Sequence, residues 1–309
     1  MLKQVLEIYE LLDKATANGE EIAELFKSRG AKDVVVQTVF GEKGSTDFIR
    51  IIIAGSNGKL AGGNAKTLGI TGRLGGIGAR PEVIGFVSDG DGALTALSVA
   101  LKLVDMQNNG DILRGDVVVT THICPNAPTR EHFPVPFMGS PIDSQTSNKY
   151  EVLPEMDAIL SIDTTKGNKI INARGFAISN TVKEGYILKV SNDILEIVMR
   201  TTGRMPYVFP LSQQDITPYG NGLYHLNSIL QPAVATQAPV IGVAITTEVP
   251  VAGCATGATH ITDIEMTARF ALEVAKDFGE SKCKFYDQQE YNLIQKLYGD
   301  MKRFQTKGN

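Results

Sequence analysis

The sequence predicts an α/β fold, a three-layer αβα sandwich around a mixed, largely parallel sheet. Three observations carry that expectation. Short apolar runs bounded by turn residues recur as VIGFV at 83–87, DVVVTT at 116–121, DAILSID at 157–163 and PVIGVAITTE at 239–248, as strands buried on both faces should read. Segments with helical apolar spacing lie between or after most of them, at 93–106, 192–201 and 261–278, and such alternation packs helices on both faces of a sheet. The chain has 309 residues, 43% of them hydrophobic, enough to bury the core of a single domain spanning 1–309.

The first 55 residues add two amphipathic helices and a β-hairpin to a core placed at 83–278. MLKQVLEIYELLDKATANGEEIAELFKSRG repeats apolar side chains at helical spacing and carries acidic groups throughout, which secretory and transit peptides avoid. Its apolar faces suit packing on the chain's own sheet or on a second copy, so a homo-oligomer is one expected arrangement. DVVVQTVF and TDFIRIIIAG are β-branched runs joined by GEKGS, a hairpin pattern. Between 57 and 82 glycine recurs at Gly72, Gly75, Gly76 and Gly78. That spacing is not the dinucleotide fingerprint, so no nucleotide cofactor is expected, and the glycines read as tight turns and close backbone approach. Residues 123–155 are proline-rich without a sustained period and read as a long loop over the crevice.

With 30 basic against 34 acidic residues the formal charge is −4, and no Lys or Arg run interleaves with aromatics. Neither nucleic acid nor membrane is therefore the expected partner, and no apolar stretch is long enough to span a bilayer. Cys124, Cys254 and Cys283 are odd in number and widely spaced, which provides neither a disulfide framework nor a CxxC knuckle and suits a reducing cytoplasm. The expected partner is a small molecule or peptide.

Chemistry is expected at the carboxyl ends of the strands, where open α/β sheets bind ligands. VIGFV stops on Ser88-Asp89-Gly90-Asp91-Gly92 and turns into a helix. Asp89 is there a candidate cation ligand, and Asp91 a helix cap or a support for Asp89. His122 follows DVVVTT, Asp163 ends DAILSID as ligand or Asx-turn residue, and Glu248 follows PVIGVAITTE. His260 stands just before the helix at 261–278. Imidazole and carboxylate from several strand ends are the ligand types of zinc-like cations in hydrolytic sites. His132 and His225 read as structural hydrogen-bonders. Asp215, in QQDITPYGNG, reads as a turn residue in a loop that glycines bring near a ligand. Cys124 lies two residues after His122, but a thiol–imidazole pair needs contact that spacing alone does not supply.

These residues carry a resemblance. The whole chain resembles a bacterial family of unknown function whose most distinctive stretch is TGRLGGIGARPEVIGFVSDGDGA. Residues 72–278 are similar, more remotely, to zinc-dependent aminopeptidases of the glutamyl aminopeptidase and cellulase-M type, which have a phosphorylase/hydrolase-like fold. In those enzymes a bridging metal Asp lies three residues before a Gly that opens an apolar helix, as Asp89 precedes Gly92 here. Another metal carboxylate closes a strand in Asp-Val-Thr, which Asp163-Thr164-Thr165 parallels. A metal His leads a helix with an acidic residue, a pattern echoed by His260, Asp263 and Glu265. The resemblance implies a divalent cation, zinc by ligand type, on Asp89, Asp163 and His260, with His122 replacing a carboxylate ligand, and hydrolysis of an amide or peptide-like bond by activated water.

Two family features are absent. No histidine precedes His122, and Thr121-His122-Ile123 stands where an adjacent glutamate pair should supply the general base. Glu131 and Glu248 are the remaining candidates for that base. A missing base costs typically ~10²–10⁴-fold in rate. The alternative expectation is therefore a non-catalytic protein that binds a small metabolite or peptide in the same crevice, using backbone N–H groups of Gly75, Gly76 and Gly78.

Overall fold

The computed structural model describes residues 1–42, 44–73, 79–80, 86–125, 127–131, 133, 137–252 and 258–308, with backbone alone at 79–80, 128–130 and 137. In chain order the described elements begin with α1 (Leu2–Leu12), α2 (Gly19–Ser28), β1 (Asp33–Gly41), β2 (Gly44–Ile53), β3 (Leu68–Gly72), β4 (Ala79–Arg80) and α3 (Asp91–Asn108). The middle of the chain forms β5 (Val117–Ile123), β6 (Ala127–Arg130), β7 (Phe137–Met138), α4 (Ser144–Glu151), β8 (Ala158–Thr165), β9 (Gly175–Lys183) and β10 (Tyr186–Ile187). It ends with α5 (Asn192–Thr202), α6 (Asn227–Leu230), β11 (Val240–Thr246), α7 (Ile261–Gly279) and α8 (Gln288–Tyr298).

The main sheet runs β1-β2-β5-β3-β8-β11-β9-β10. Its four central strands, β5, β3, β8 and β11, are mutually parallel, and antiparallel strands close both flanks. The α/β class expected from the sequence is therefore the observed one. Successive central strands after β3 are laid on opposite sides of it, β5 on one and β8 on the other, so the strand order reverses at β3. A crevice opens at the carboxyl ends of an open sheet at such a point.

Alternate residues of the central strands face opposite layers. Val117, Val119, Leu160 and Ile162 join the cluster packed under α1, α3 and α7, whereas Val118 and Ile159 pack with Met156 and Leu230 on the other face. Helix α3 is buried almost all round, between the sheet and the α1 and α7 helices, which accounts for a sequence apolar on more than one face. Where helices start at the surface, short polar side chains close them. Asn18 accepts from the Glu21 N–H at 2.9 Å, and Asp143 from the Thr146 N–H at 2.7 Å. No described helix is long and apolar enough to cross a membrane.

Two sequence expectations are corrected. Of the expected strand at 83–87, residues 83–85 lie outside the described residues, and Phe86 and Val87 belong to no strand. The central strand before α3 is instead β3, inside the glycine-rich stretch that read as turns. Glycine serves close packing there rather than turning: a Cβ on Gly69 would lie 2.5 Å from the Met156 sulfur, and one on Gly72 would lie 2.5 Å from the Gly92 carbonyl oxygen. The proline-rich segment is likewise not structureless. Its β6 and β7 join β4 in a second, three-stranded sheet, and α4 follows them.

Gly92 puts the first turn of α3 against two strand ends at once. A Cβ there would stand 2.6 Å from the carbonyl oxygens of both Arg73 and Ile162. Gly92→Ala should therefore lower stability by about 1–3 kcal/mol through overpacking, although alanine is the better helix former by ~1 kcal/mol. Urea denaturation measures this, and an unchanged or raised midpoint would refute the close-packing account.

Candidate functional site

A cleft of about 1500 Å³ opens along the carboxyl ends of the central strands. Its floor includes Arg73, the residue after β3, and its walls bring in Asn148 of α4, Thr164 and Lys166 of β8 and its following turn, and Tyr219 and Ser228. Asp89 lines it as well, and also faces a smaller neighbouring hollow with His122 and Cys124.

Arg73 is 3% exposed. A buried guanidinium is tolerable only when paired and hydrogen-bonded, and Glu151, the last residue of α4, supplies the carboxylate by accepting from Nη1 at Oε2. The other Glu151 oxygen meets His122 Nδ1 at 2.6 Å, and Asn148 Oδ1 accepts from Arg73 Nη1 at 3.3 Å. Burial opposes ionisation of Glu151, but Arg73 and His122 together hold its carboxyl below the usual range. The Arg73 Nε–H has no hydrogen-bond partner.

The two aspartates of the Ser88–Gly92 turn separate here. Asp91 opens α3, but its carboxylate does not cap the helix. It accepts from Lys166 Nζ at 2.9 Å and from the Thr259 hydroxyl at 2.9 Å. Asp89 has no such cation: its Oδ2 accepts the Met138 N–H at 3.1 Å, and burial pushes its carboxyl up to about 6, with the nearby Asp91 charge adding to the rise. Asp163, in β8, is fully buried beside the cleft floor. Its Oδ1 accepts the Thr164 N–H at 2.7 Å, while its Oδ2 makes no well-formed hydrogen bond. Burial raises the Asp163 carboxyl to about 8, Asp89 adds to the rise, and Arg73 works against it.

Of the other expected site residues, His260 lies near enough to Asp91 to favour its charged form, and the other described ones make no hydrogen bond or ion pair with this group. His260 precedes α7 with its ring half-exposed and Nδ1 3.3 Å from Asp263 Oδ2. Glu131 and Glu248 are exposed and outside the cleft. Asp215 is buried as the organiser of its own loop, accepting the Ser212 and Leu226 N–H groups, and the segment it anchors brings Tyr219 to the cleft. His225 lines the cleft 4.0 Å from Asp215. Gly75, Gly76, Gly78, His132 and Cys254 lie outside the described residues. Among the described residues no group of three or more His, Cys, Asp or Glu side chains is placed to hold a metal ion. Asp89 and Asp163 suit a cation by their chemistry, but the imidazoles expected beside them are held by Glu151 and Asp263.

Arg73, Glu151 and Lys166 are site residues that sequence reasoning did not single out. Arg73 sits inside the distinctive stretch, directly after the glycine that ends β3, and that position is the one signal that could have marked it.

The raised carboxyls give stability a definite pH slope. A buried acid whose folded pKa exceeds its unfolded value near 3.8 makes the folded state bind more protons, so stability falls as pH rises toward the folded value. The protein should therefore lose stability between pH 4 and about 6 through Asp89, and on to about 8 through Asp163. Asp163→Asn, which mimics the protonated acid, should flatten the slope above pH 6 and match or exceed the parent's stability at pH 8. Melting temperatures across that range test this, and an unchanged slope in the variant would assign the titration elsewhere.

No curated protein matches the sequence significantly. A family profile does match, over residues 37–308, which takes in every element from β2 to α8 and all the residues of the cleft. The chain belongs to the family described as "Protein of unknown function (DUF1177)".

Proposed function

We propose that the cleft binds a small amide-bearing molecule and hydrolyses it, with Asp89 as the general base. The observation that carries this reading is Asp89 itself, a carboxyl on the cleft wall whose burial sets its pKa at about 6. A base is most effective when its pKa lies near the working pH, and perturbed carboxyls in clefts are candidates for that work. A volume of about 1500 Å³ exceeds the ~300–1,000 Å³ of most small-molecule pockets and admits a peptide-sized substrate. The likeness of the Asp89 and Asp163 settings to those of the glutamyl aminopeptidase type supports an amide as the bond attacked. Asp89 takes the place in this reading that Glu131 and Glu248 held as candidate bases, because neither glutamate reaches the cleft.

A second reading, metal-assisted hydrolysis, is favoured by one observation: the buried Asp163 Oδ2 makes no well-formed hydrogen bond. The Ser228 hydroxyl near the carboxyl favours its charged form, and the carboxyl lies close enough to Asp89 to feel its charge. A divalent cation shared by the two carboxylates would satisfy that oxygen and supply Lewis acidity. The acid–base role of Asp89 does not require it.

Amino-acid anilides and short peptides serve as assay substrates for the full chain. The expected kcat/KM rises with pH through about 6, and Asp89→Asn lowers it ~10²–10⁴-fold with the fold intact by circular dichroism. Ligand-induced thermal shifts without turnover of any amide would replace hydrolysis by binding alone. For the second reading, freshly purified untagged protein should carry a stoichiometric divalent ion whose chelation lowers the melting temperature; a metal-free preparation indifferent to chelator rules that reading out.

A further inference from the structure

The amide reading leaves open which end of the ligand the cleft recognises, and Arg73 bears on that. Its side chain is 3% exposed and reaches the cleft floor, yet its donors are incompletely used. A guanidinium has five N–H donors and no acceptor. Here Nη1 serves Glu151 and Asn148, while the buried Nε–H serves nothing in the protein. The Nε–H is closed to solvent, so an acceptor in the cleft can reach only the rest of the guanidinium, whose Nη2 makes no hydrogen bond to the described residues. Glu151 is divided between Arg73 and His122 and does not neutralise Arg73 alone.

In the rest of the lining lysines outnumber acidic residues, three to two. Lys149 and Lys307 stand exposed on the rim. Two acidic residues share the lining, Asp143, which caps α4, and Asp89, which is charged above about pH 6. Lys166 is already closed by Asp91. The open cationic positions are therefore one deep donor and two rim charges, an arrangement that draws in an anionic group and holds it by a charge-assisted bond at the floor.

Building on the amide reading, we infer that the ligand carries a free carboxylate near its amide, and that Arg73 anchors this carboxylate while Asp89 faces the amide. The substrate class is then N-acyl amino acids or the carboxyl ends of short peptides.

Calorimetry on the full chain tests the anchor with matched pairs: N-acetyl amino acids and dipeptides as free acids, and the same compounds as carboxamides, at low and high salt. The free acids should bind ~10–100-fold more tightly, the worth of one hydrogen bond to a charged group, and salt should weaken their binding and not that of the amides. Lys149→Ala with Lys307→Ala changes only exposed residues, so it should keep the melting temperature while lowering acid affinity and its salt dependence. Arg73→Lys retains a cation for Glu151 but removes the second N–H₂ group of the fork, and should bring the acid-to-amide ratio toward one. Equal binding of acid and amide by the parent protein overturns the anchor and leaves the Asp89 reading standing. Binding of neither form, with no turnover of either, overturns both.

Discussion

The pairing of Arg73 with Glu151 is the constraint on which the rest of the site depends. Arg73 leaves the central strand β3 with its N–H on the Ile162 carbonyl oxygen at 2.7 Å, so the backbone is locked to β8 before the side chain begins. The guanidinium then has to be neutralised in a region almost closed to water, and removing one partner of a buried ion pair typically costs about 3–5 kcal/mol. Glu151 meets that need only if the end of α4 stands over the strand ends. The Thr120 hydroxyl helps hold it there, donating to the Glu151 carbonyl oxygen at 2.8 Å. One electrostatic requirement thus fixes α4 as the cleft wall, orients His122 through its Nδ1, and places Asn148 beside the floor.

The same principle bears on four of the buried carboxylates, those around the cleft floor. Glu151 and Asp91 each have a cation within hydrogen-bond reach, Arg73 for one and Lys166 for the other, and both serve the architecture. Asp89 and Asp163 have backbone N–H groups but no ion-pair partner, and burial carries them to about 6 and about 8. Burial is the largest cause of each rise, and the charge of a neighbouring aspartate adds to it; burial raises Asp91 too, although Lys166 works against it. The division also explains why two aspartates separated by one glycine behave differently: Asp91 enters α3 with its carboxylate on Lys166, while Asp89 stays in the turn before the helix.

Much of this fold was legible because its central strands are continuous apolar runs and its long helices keep their spacing. β5, β8, β11, α3, α5 and α7 all form close to where the pattern put them. β3 was not legible, because Gly69 and Gly72 answer to the packing of Met156 and α3, a tertiary demand that looks like turn composition in one dimension. β9 was missed for a related reason, since GFAISNTVK mixes buried serine and threonine with apolar residues and gives no clean run. At the site, Asp163 could be picked out from its place at a strand end and Asp89 from its place just before a long apolar helix. Arg73 and Glu151 could not, for they lie 78 residues apart and their meaning is in the contact. His260 fitted a sequence pattern whose partner proved to be Asp263 on its own helix.

The presence of Arg73 beside Asp163 bears on the kind of chemistry the cleft supports. A guanidinium is a permanent cation with fixed donor directions and no open coordination position. It can hold an anion, orient it and lower the cost of burying it, but it does not ionise water as a metal centre does. In the proposed hydrolysis, proton transfer then falls to the carboxyls whose pKa values burial has moved. Of these Asp89 lines the cleft and Asp163 does not. Asp163 lies beneath: the Asp89 charge raises its carboxyl and Arg73 lowers it, so Asp163 is still protonated where Asp89 ionises, near 6. Arg73 and Asp89 are therefore both linked to one buried carboxyl, and the charge of Asp89 is felt there as a later loss of the Asp163 proton.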